Sequence, residues 1–270
     1  MMYGIMPASI PNKSLEKAFQ IVLNASKKVD IDSVELSFFN VPWLTATVSP
    51  FEIDSIKNVI GKFLENFRYS GAHLTFPDIV SEEKVKEISI SIVKAGELNI
   101  DYVVIHIGGL KNKSFSEAWN IYKEKVKMYL EIAESNNVIF TLENNGFLHN
   151  LSLLIKFIKE IDSNMLALTL DIGHAYKKHP LDNEVGYIDY GDLSNFILEE
   201  REYIKNIHIH DYNPEWKDHL PIGLGKIDFK PIIFALRKIN YSYPITLEFT
   251  LKDEKDIINN IKALKKIERK

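Results

Sequence analysis

The chain has 270 residues, 46% of them hydrophobic and 26% charged, which are the proportions of a soluble globular protein and exclude disorder, collagen and fibrous repeats. Its 33 lysine and arginine residues are outnumbered by 37 aspartate and glutamate residues, and the formal charge of −4 gives no global pull toward nucleic acid. No apolar run approaches the ~18 residues that span a bilayer. The start, MMYGIMPASI, lacks the basic and long apolar regions of a signal peptide, so a cytoplasmic location is expected. Cysteine is absent, which rules out disulfides and leaves nitrogen and oxygen as the ligands of any metal site.

In chain order, short apolar runs alternate with longer segments of helical period. Tyr3–Met6 precedes a helical segment at Leu15–Lys28, and Ser33–Ser37 precedes Ile53–Phe67. Ser70–Leu74 leads to Glu82–Leu98, Tyr102–Ile107 to Tyr122–Ser135, and Val138–Glu143 to Leu151–Ile161. Leu166–Asp171, Asn206–His210 and Ile245–Phe249 follow, and Asp253–Glu268 closes the chain as an amphipathic helix. Apolar residues in the longer segments recur at three- and four-residue spacing, as helices covering a sheet require. The short runs are nearly continuous in hydrophobicity, which fits parallel strands buried on both faces. Eight such runs spaced by ~30–40 residues predict an α/β fold, a single (β/α)8 TIM barrel. An open doubly wound sheet is the competing topology. No linker or composition break divides the chain, so residues 1–270 are expected to form one barrel domain. Phe38–Pro50, Ala175–Asp192 and Tyr212–Gly225 read as long irregular stretches, each after a strand, where barrel enzymes build their sites.

Ionisable residues fall at the ends of those runs. His73 is late in the third run and His106 in the fourth; Glu143 ends the fifth and Asp171 the sixth; His208 lies in the seventh and Glu248 late in the eighth. Acids and imidazoles inside strands are costly to bury unless paired, bonded or bound to a cation. At six consecutive strand ends they would converge on one rim, as ligands for a divalent ion such as zinc or manganese. Each has a plainer reading: His73 and His106 as hydrogen-bonded core residues, Asp171 as the cap of the next helix. Asp171 and His174 are three apart at a strand-to-loop junction, close enough to share one cation or serve two. His208 and His210 are two apart on a strand and face the same way, so either could be the ligand. Asp211 could orient an imidazole from behind. His219 follows in DHLPIGLGKIDF, where Gly223 and Gly225 predict a tight turn with close backbone approach. Their spacing is not a dinucleotide fingerprint, and no nucleotide cofactor is expected.

The ordered pieces AHLTFPD, VVIHIGG, TLENN, LDIGH, HIHD, DHLPIGLGKIDF and TLEF span nearly the whole chain. In them the sequence resembles the xylose isomerase-like barrel superfamily, which holds sugar phosphate isomerases and epimerases and also endonuclease IV. The resemblance implies a core metal held by Glu143, Asp171, His208 and Glu248. In endonuclease IV the glutamate matching Glu143 bridges to a second metal, whose other ligands match His73 and His106. A third metal there uses positions matching His174 and His219 and an aspartate where this chain has Lys217, with Asp218 adjacent. That enzyme also has an asparagine at the position of His210, and its DNA-intercalating loops have no counterpart here.

Two functions are therefore expected to compete. The first is a divalent-metal-dependent sugar or sugar phosphate isomerase or epimerase, using zinc, manganese, cobalt or magnesium. The ion would bind the substrate carbonyl and a neighbouring hydroxyl and stabilise an enediolate. Glu143 and Glu248 would exchange the carbon-bound proton, and His174 or His210 would hydrogen-bond a substrate hydroxyl. Trp43 and Trp216 would wall the substrate or pack on the surface. The second is a zinc-dependent phosphodiesterase acting at abasic sites in DNA. A barrel that binds a sugar without turning it over is a third reading, against which the intact glutamate pair argues.

Overall fold

The computed structural model describes residues 1–39, 46–74, 78–108, 110, 113–177, 193–215 and 217–269. The strands are β1 (Met2–Ile5), β2 (Ser33–Ser37), β3 (Tyr69–Leu74), β4 (Tyr102–Ile107), β5 (Ile139–Gly146), β6 (Leu166–Asp171), β7 (Ile204–Ile209), the short β8 (Asp211–Asn213) and β9 (Lys217–Leu220), and β10 (Pro244–Leu247). All but β8 and β9 are parallel and close into an eight-stranded barrel in the order β1, β10, β7, β6, β5, β4, β3, β2. The closed ring excludes the open-sheet alternative, since β1 pairs with both β10 and β2.

Helices α1 (Leu15–Ser26), α2 (Ile53–Leu64), α3 (Glu82–Glu97), α4 (Phe115–Ser135) and α5 (Leu151–Ile161) lie between successive strands. They begin or end within a few residues of the predicted segments, except that α4 starts seven residues early. Its start is a capping box, in which the Ser114 hydroxyl accepts from the Glu117 amide and the Glu117 carboxylate accepts from the Ser114 amide. The structure adds a one-turn helix α6 (Ile172–Ala175), the short α7 (Leu193–Glu199) and α8 (Phe229–Lys238) before the closing α9 (Glu254–Glu268). The stretch Tyr212–Gly225 is not wholly irregular, as expected, but contains an antiparallel hairpin, β8 (Asp211–Asn213) with β9 (Lys217–Leu220). Among the described residues, no helix is long and apolar enough to cross a membrane.

The near-continuous hydrophobicity of the strands conceals an alternation. Val34, Leu36, Ala72, Leu74, Val103, Ile105, Leu142, Leu168, Leu170, Ile207 and Ile209 are buried in the apolar core. The residues between them turn inward, and the bonds they make across the barrel show it. Tyr102 on β4 donates to Glu35 on β2 at 2.9 Å, and Thr141 and Thr169 hydroxyls meet at 2.6 Å. The interior is thus a stack of polar layers with acids and imidazoles at the C-terminal ends of the strands. Gly71 leaves room for this packing: a Cβ there would lie 2.2 Å from the Tyr102 ring. Gly71→Ala should overpack the interior and lower stability by about 1–3 kcal/mol in denaturant unfolding; an unchanged midpoint would refute the close approach of strand and ring.

Candidate active site

Glu143 is the centre of the site. It is buried in β5, three residues before the strand's last residue, Gly146, and its oxygens lie 3.2 Å from His73 Nε2, 3.1 Å from His174 Nδ1, and 3.4 Å from His208 Nδ1. The Asn145 amide donates to it as well, at 3.3 Å. Among the described residues, no lysine or arginine pairs with it, so imidazoles alone offset its charge. Burial pushes its carboxyl up, but the bonds from His174, His208 and His73 outweigh that and hold it well below the usual range. Glu248, one residue beyond β10, faces His208 Nδ1 at 2.9 Å, and its pKa is likewise lowered against burial by the His208 charge.

Asp171 ends β6 and caps α6, accepting from the His174 amide at 2.6 Å, so its plainer reading is realised alongside any other. The Asn144 side chain fixes it by bonding both its backbone N–H, at 2.7 Å, and its carbonyl, at 2.9 Å. Its carboxylate also faces His210 Nε2 at 3.1 Å and His174 Nδ1 at 3.3 Å. His210 Nδ1 accepts from the His219 amide at 3.0 Å, and the two rings stack at 4.1 Å. Burial draws the His174 pKa down, yet Asp171 and Glu143 lift it to about 9. His208 is raised well above its ordinary value by Glu248 and Glu35 despite complete burial. His106, its ring 5.8 Å from His73, is pulled the other way, below its ordinary value, by burial.

Ligand-type atoms fall into three groups, each lying within 4.8 Å: Glu143, His208 and Glu248; Asp171, His174, His210 and His219; and Glu35, His73 and His208. Three of the four residues expected around a core metal thus come together. Asp171 belongs to the adjoining group, joined to the first by His174. Among the described residues, the buried atoms Asp171 Oδ2, His208 Nδ1, His210 Nε2 and Glu248 Oε2 find no hydrogen-bond partner. Unsatisfied carboxylate oxygens and imidazole nitrogens turned toward each other are a donor set that a divalent cation would satisfy. The residues present therefore fit such an ion.

Above them opens a cavity of about 520 Å³, within the range of small-ligand sites. His73, His106, Glu143, His174 and Glu248 form its polar side, Met6, Phe39 and Phe249 its apolar wall, and Lys177, Asp218 and His219 its rim. Lys177 is ion-paired with Asp218. His210 does not line the cavity.

Asp211 corrects an expectation. Its carboxylate does not orient an imidazole but accepts from the backbone amides of Tyr212 at 2.8 Å, Gly223 at 3.0 Å, Gly225 at 2.9 Å and Ile227 at 3.1 Å. It folds the loop after the hairpin, and only its carbonyl meets His210 Nδ1, at 3.2 Å. The glycines behave as predicted: Gly223 has φ +87°, and a Cβ on Gly225 would lie 2.2 Å from the Asp211 carboxylate. Trp43 and Trp216 lie outside the described residues. Sequence reasoning missed Glu35, whose carboxylate bonds His208 at 2.9 Å. Its signal was available, an acid inside the apolar run SVELS.

A closed parallel barrel with buried acids and imidazoles at its strand ends defines a class of proteins that build their sites on the C-terminal rim. Within that class, residues 23–267 match the xylose isomerase-like TIM barrel family, and the chain belongs to it. Two uncharacterized proteins of Methanocaldococcus jannaschii are similar. MJ1614 is 29% identical over 191 residues, covering 67% of this chain and 70% of the relative, and MJ1311 is 28% identical over 214 residues, covering 72% and 68%. Among solved structures, a D-tagatose 3-epimerase-like protein is 25% identical with a TM-score of 0.74, covering 99% of this chain and 97% of the other. The IolI protein with a bound zinc atom shares the fold at 17% identity, with a TM-score of 0.75 and coverage of 99% and 98%.

If the groups above hold an ion, binding must displace protons from imidazoles that the carboxylates keep charged. Metal affinity should then rise with pH between the ordinary imidazole value of about 6.5 and the value of about 9 reached by His174. Calorimetry in buffers of different ionisation enthalpy should show proton release at neutral pH. Glu143→Gln and Asp171→Asn should each sharply lower the metal content of the purified, folded protein. Unchanged stoichiometry in both variants would count against the site.

Proposed function

We propose that the protein is a divalent-metal-dependent isomerase or epimerase of a sugar or sugar phosphate, working by proton transfer at a carbon next to a carbonyl. The observation that carries this reading is the carboxylate pair of buried Glu143 and partly exposed Glu248, which face the same His208 nitrogen at 3.4 and 2.9 Å beside a cavity of small-ligand size. Similarity to a D-tagatose 3-epimerase-like protein supports it. Glu143 and Glu248, with His208 between them and Asp171 alongside, would hold zinc, manganese, cobalt or magnesium. Such an ion would polarise the substrate carbonyl and offset the negative charge that develops on its oxygen.

The residues of the chain supply the rest. One glutamate takes the proton from the carbon, leaving its electron pair in an enediolate, and the other, in its acid form, returns a proton to that carbon. After one turnover the two have exchanged protonation states, which suits a reversible reaction. His174 lines the cavity and is placed to hydrogen-bond a substrate hydroxyl; His210, fully buried behind it, is not. Met6, Phe39 and Phe249 exclude water from one side of the substrate. His73, at 3.2 Å from Glu143, is the observation that favours the second reading, a phosphodiesterase with more than one ion.

Solvent deuterium should enter the product at the reacting carbon when small ketoses and their phosphates are incubated with the metal-loaded protein. Glu248→Gln should cut the exchange rate by about a hundredfold or more with little change in KM. Cleavage of an abasic-site duplex, with no exchange into any sugar, would establish the phosphodiesterase instead.

A further inference from the structure

We propose that Glu35 is a positioning residue, whose carboxylate holds the His208 Nε2 proton and so presents Nδ1, as the ligating nitrogen, to the space between Glu143 and Glu248. The inference rests on the metal-binding reading of the site. Glu35 stands on β2 and His208 on β7, which are not neighbours in the barrel, so the bond crosses its interior. Both are fully buried. The two carboxylate oxygens lie 2.9 and 3.1 Å from the same nitrogen, His208 Nε2. One of them also accepts from the Tyr102 hydroxyl at 2.9 Å and from the Asn206 amide at 3.0 Å.

With Tyr102 and Asn206 already donating to Glu35, its two oxygens close on Nε2 as acceptors, so the Nε2 hydrogen points at Glu35. Nδ1 faces Glu248 and Glu143, and among the described residues neither it nor Glu248 Oε2 finds a hydrogen bond. In the charged imidazole a proton on Nδ1 faces these carboxylates; a cation bound between them would take that proton's place and meet the Nδ1 lone pair. Glu35 therefore does more than satisfy a core: it selects which imidazole nitrogen meets the ion, and its charge makes that nitrogen a stronger donor. A purely structural role would need only a group of the same shape.

The test uses zinc as the probe. Long-range proton–nitrogen spectra of the zinc-loaded wild-type protein should show His208 protonated at Nε2 and bound through Nδ1. Zinc titrations should show binding weakened about ten- to hundredfold in Glu35→Gln, whose zinc-free melting temperature stays near that of the wild type. Tyr102→Phe, which leaves the carboxylate on the imidazole, should bind zinc nearly as well as the wild type. Zinc on Nε2 of His208 would overturn the proposal, and this observation decides the matter even if Glu35→Gln fails to fold. Loss of zinc in His208→Ala with unchanged affinity in Glu35→Gln would remove the role of Glu35 alone. A wild type that takes up no zinc, or a His208→Ala variant that binds it undiminished, would remove the metal reading and the proposal with it.

Discussion

Buried carboxylates that have no lysine or arginine partner among the described residues dominate the interior of this barrel. Glu143 and Glu35, from different strands, meet the same imidazole, His208, from its two sides. Each acid lies where water cannot solvate it, so its charge is tolerable only through the hydrogen bonds and positive charge of its neighbours. The histidines supply both, and their contacts hold the Glu143 carboxyl well below the usual range against the pressure of burial. Removing one member leaves another uncompensated, so the set behaves as a unit rather than as a sum of pairs.

The same arrangement explains why the site sits at one end. Deeper in the barrel, the hydroxyl and amide groups of Thr141, Thr169, Asn206 and Tyr102 bond one another, and Tyr102 and Asn206 also donate to Glu35. Where the cavity opens, Glu143, Glu248 and the imidazoles of His73, His106 and His174 gather. Short backbone devices then hold the rim: the Asn144 side chain bonds both backbone groups of Asp171, and Asp211 gathers four amides around its carboxylate. These bonds are neutral to singly charged and well aligned, so they place the ionisable groups without adding to the charge they must balance.

Much of this was legible in the sequence. An acid or histidine breaking an apolar run is a signal of high contrast, and Glu143, Asp171, His208 and Glu248 were found by it. The barrel itself was readable because helical and strand periods alternate without a break. Four things escaped for physical reasons. Glu35 carries the same signal as Glu143, but it lies in a short run flanked by serines, where an acid stands out less. The role of Asp211 depends on where amides twelve to sixteen residues later fold back, which no local pattern encodes. The separation of Asp171 from the Glu143 group is a matter of side-chain direction at a strand end, set by α6 and its cap. The seven-residue α7 completes barely two turns, too few for periodicity to register.

Tyr102 has a consequence for how the interior communicates with bulk water. Its ring fills the space over Gly71, and its hydroxyl reaches Glu35 and lies 3.3 Å from Asn206 on the far wall. The ring thus fills the interior beside Glu35. What enters the cavity toward Glu143 passes the paired Lys177 and Asp218 and the half-exposed ring of His219, which stand in its lining as gateposts.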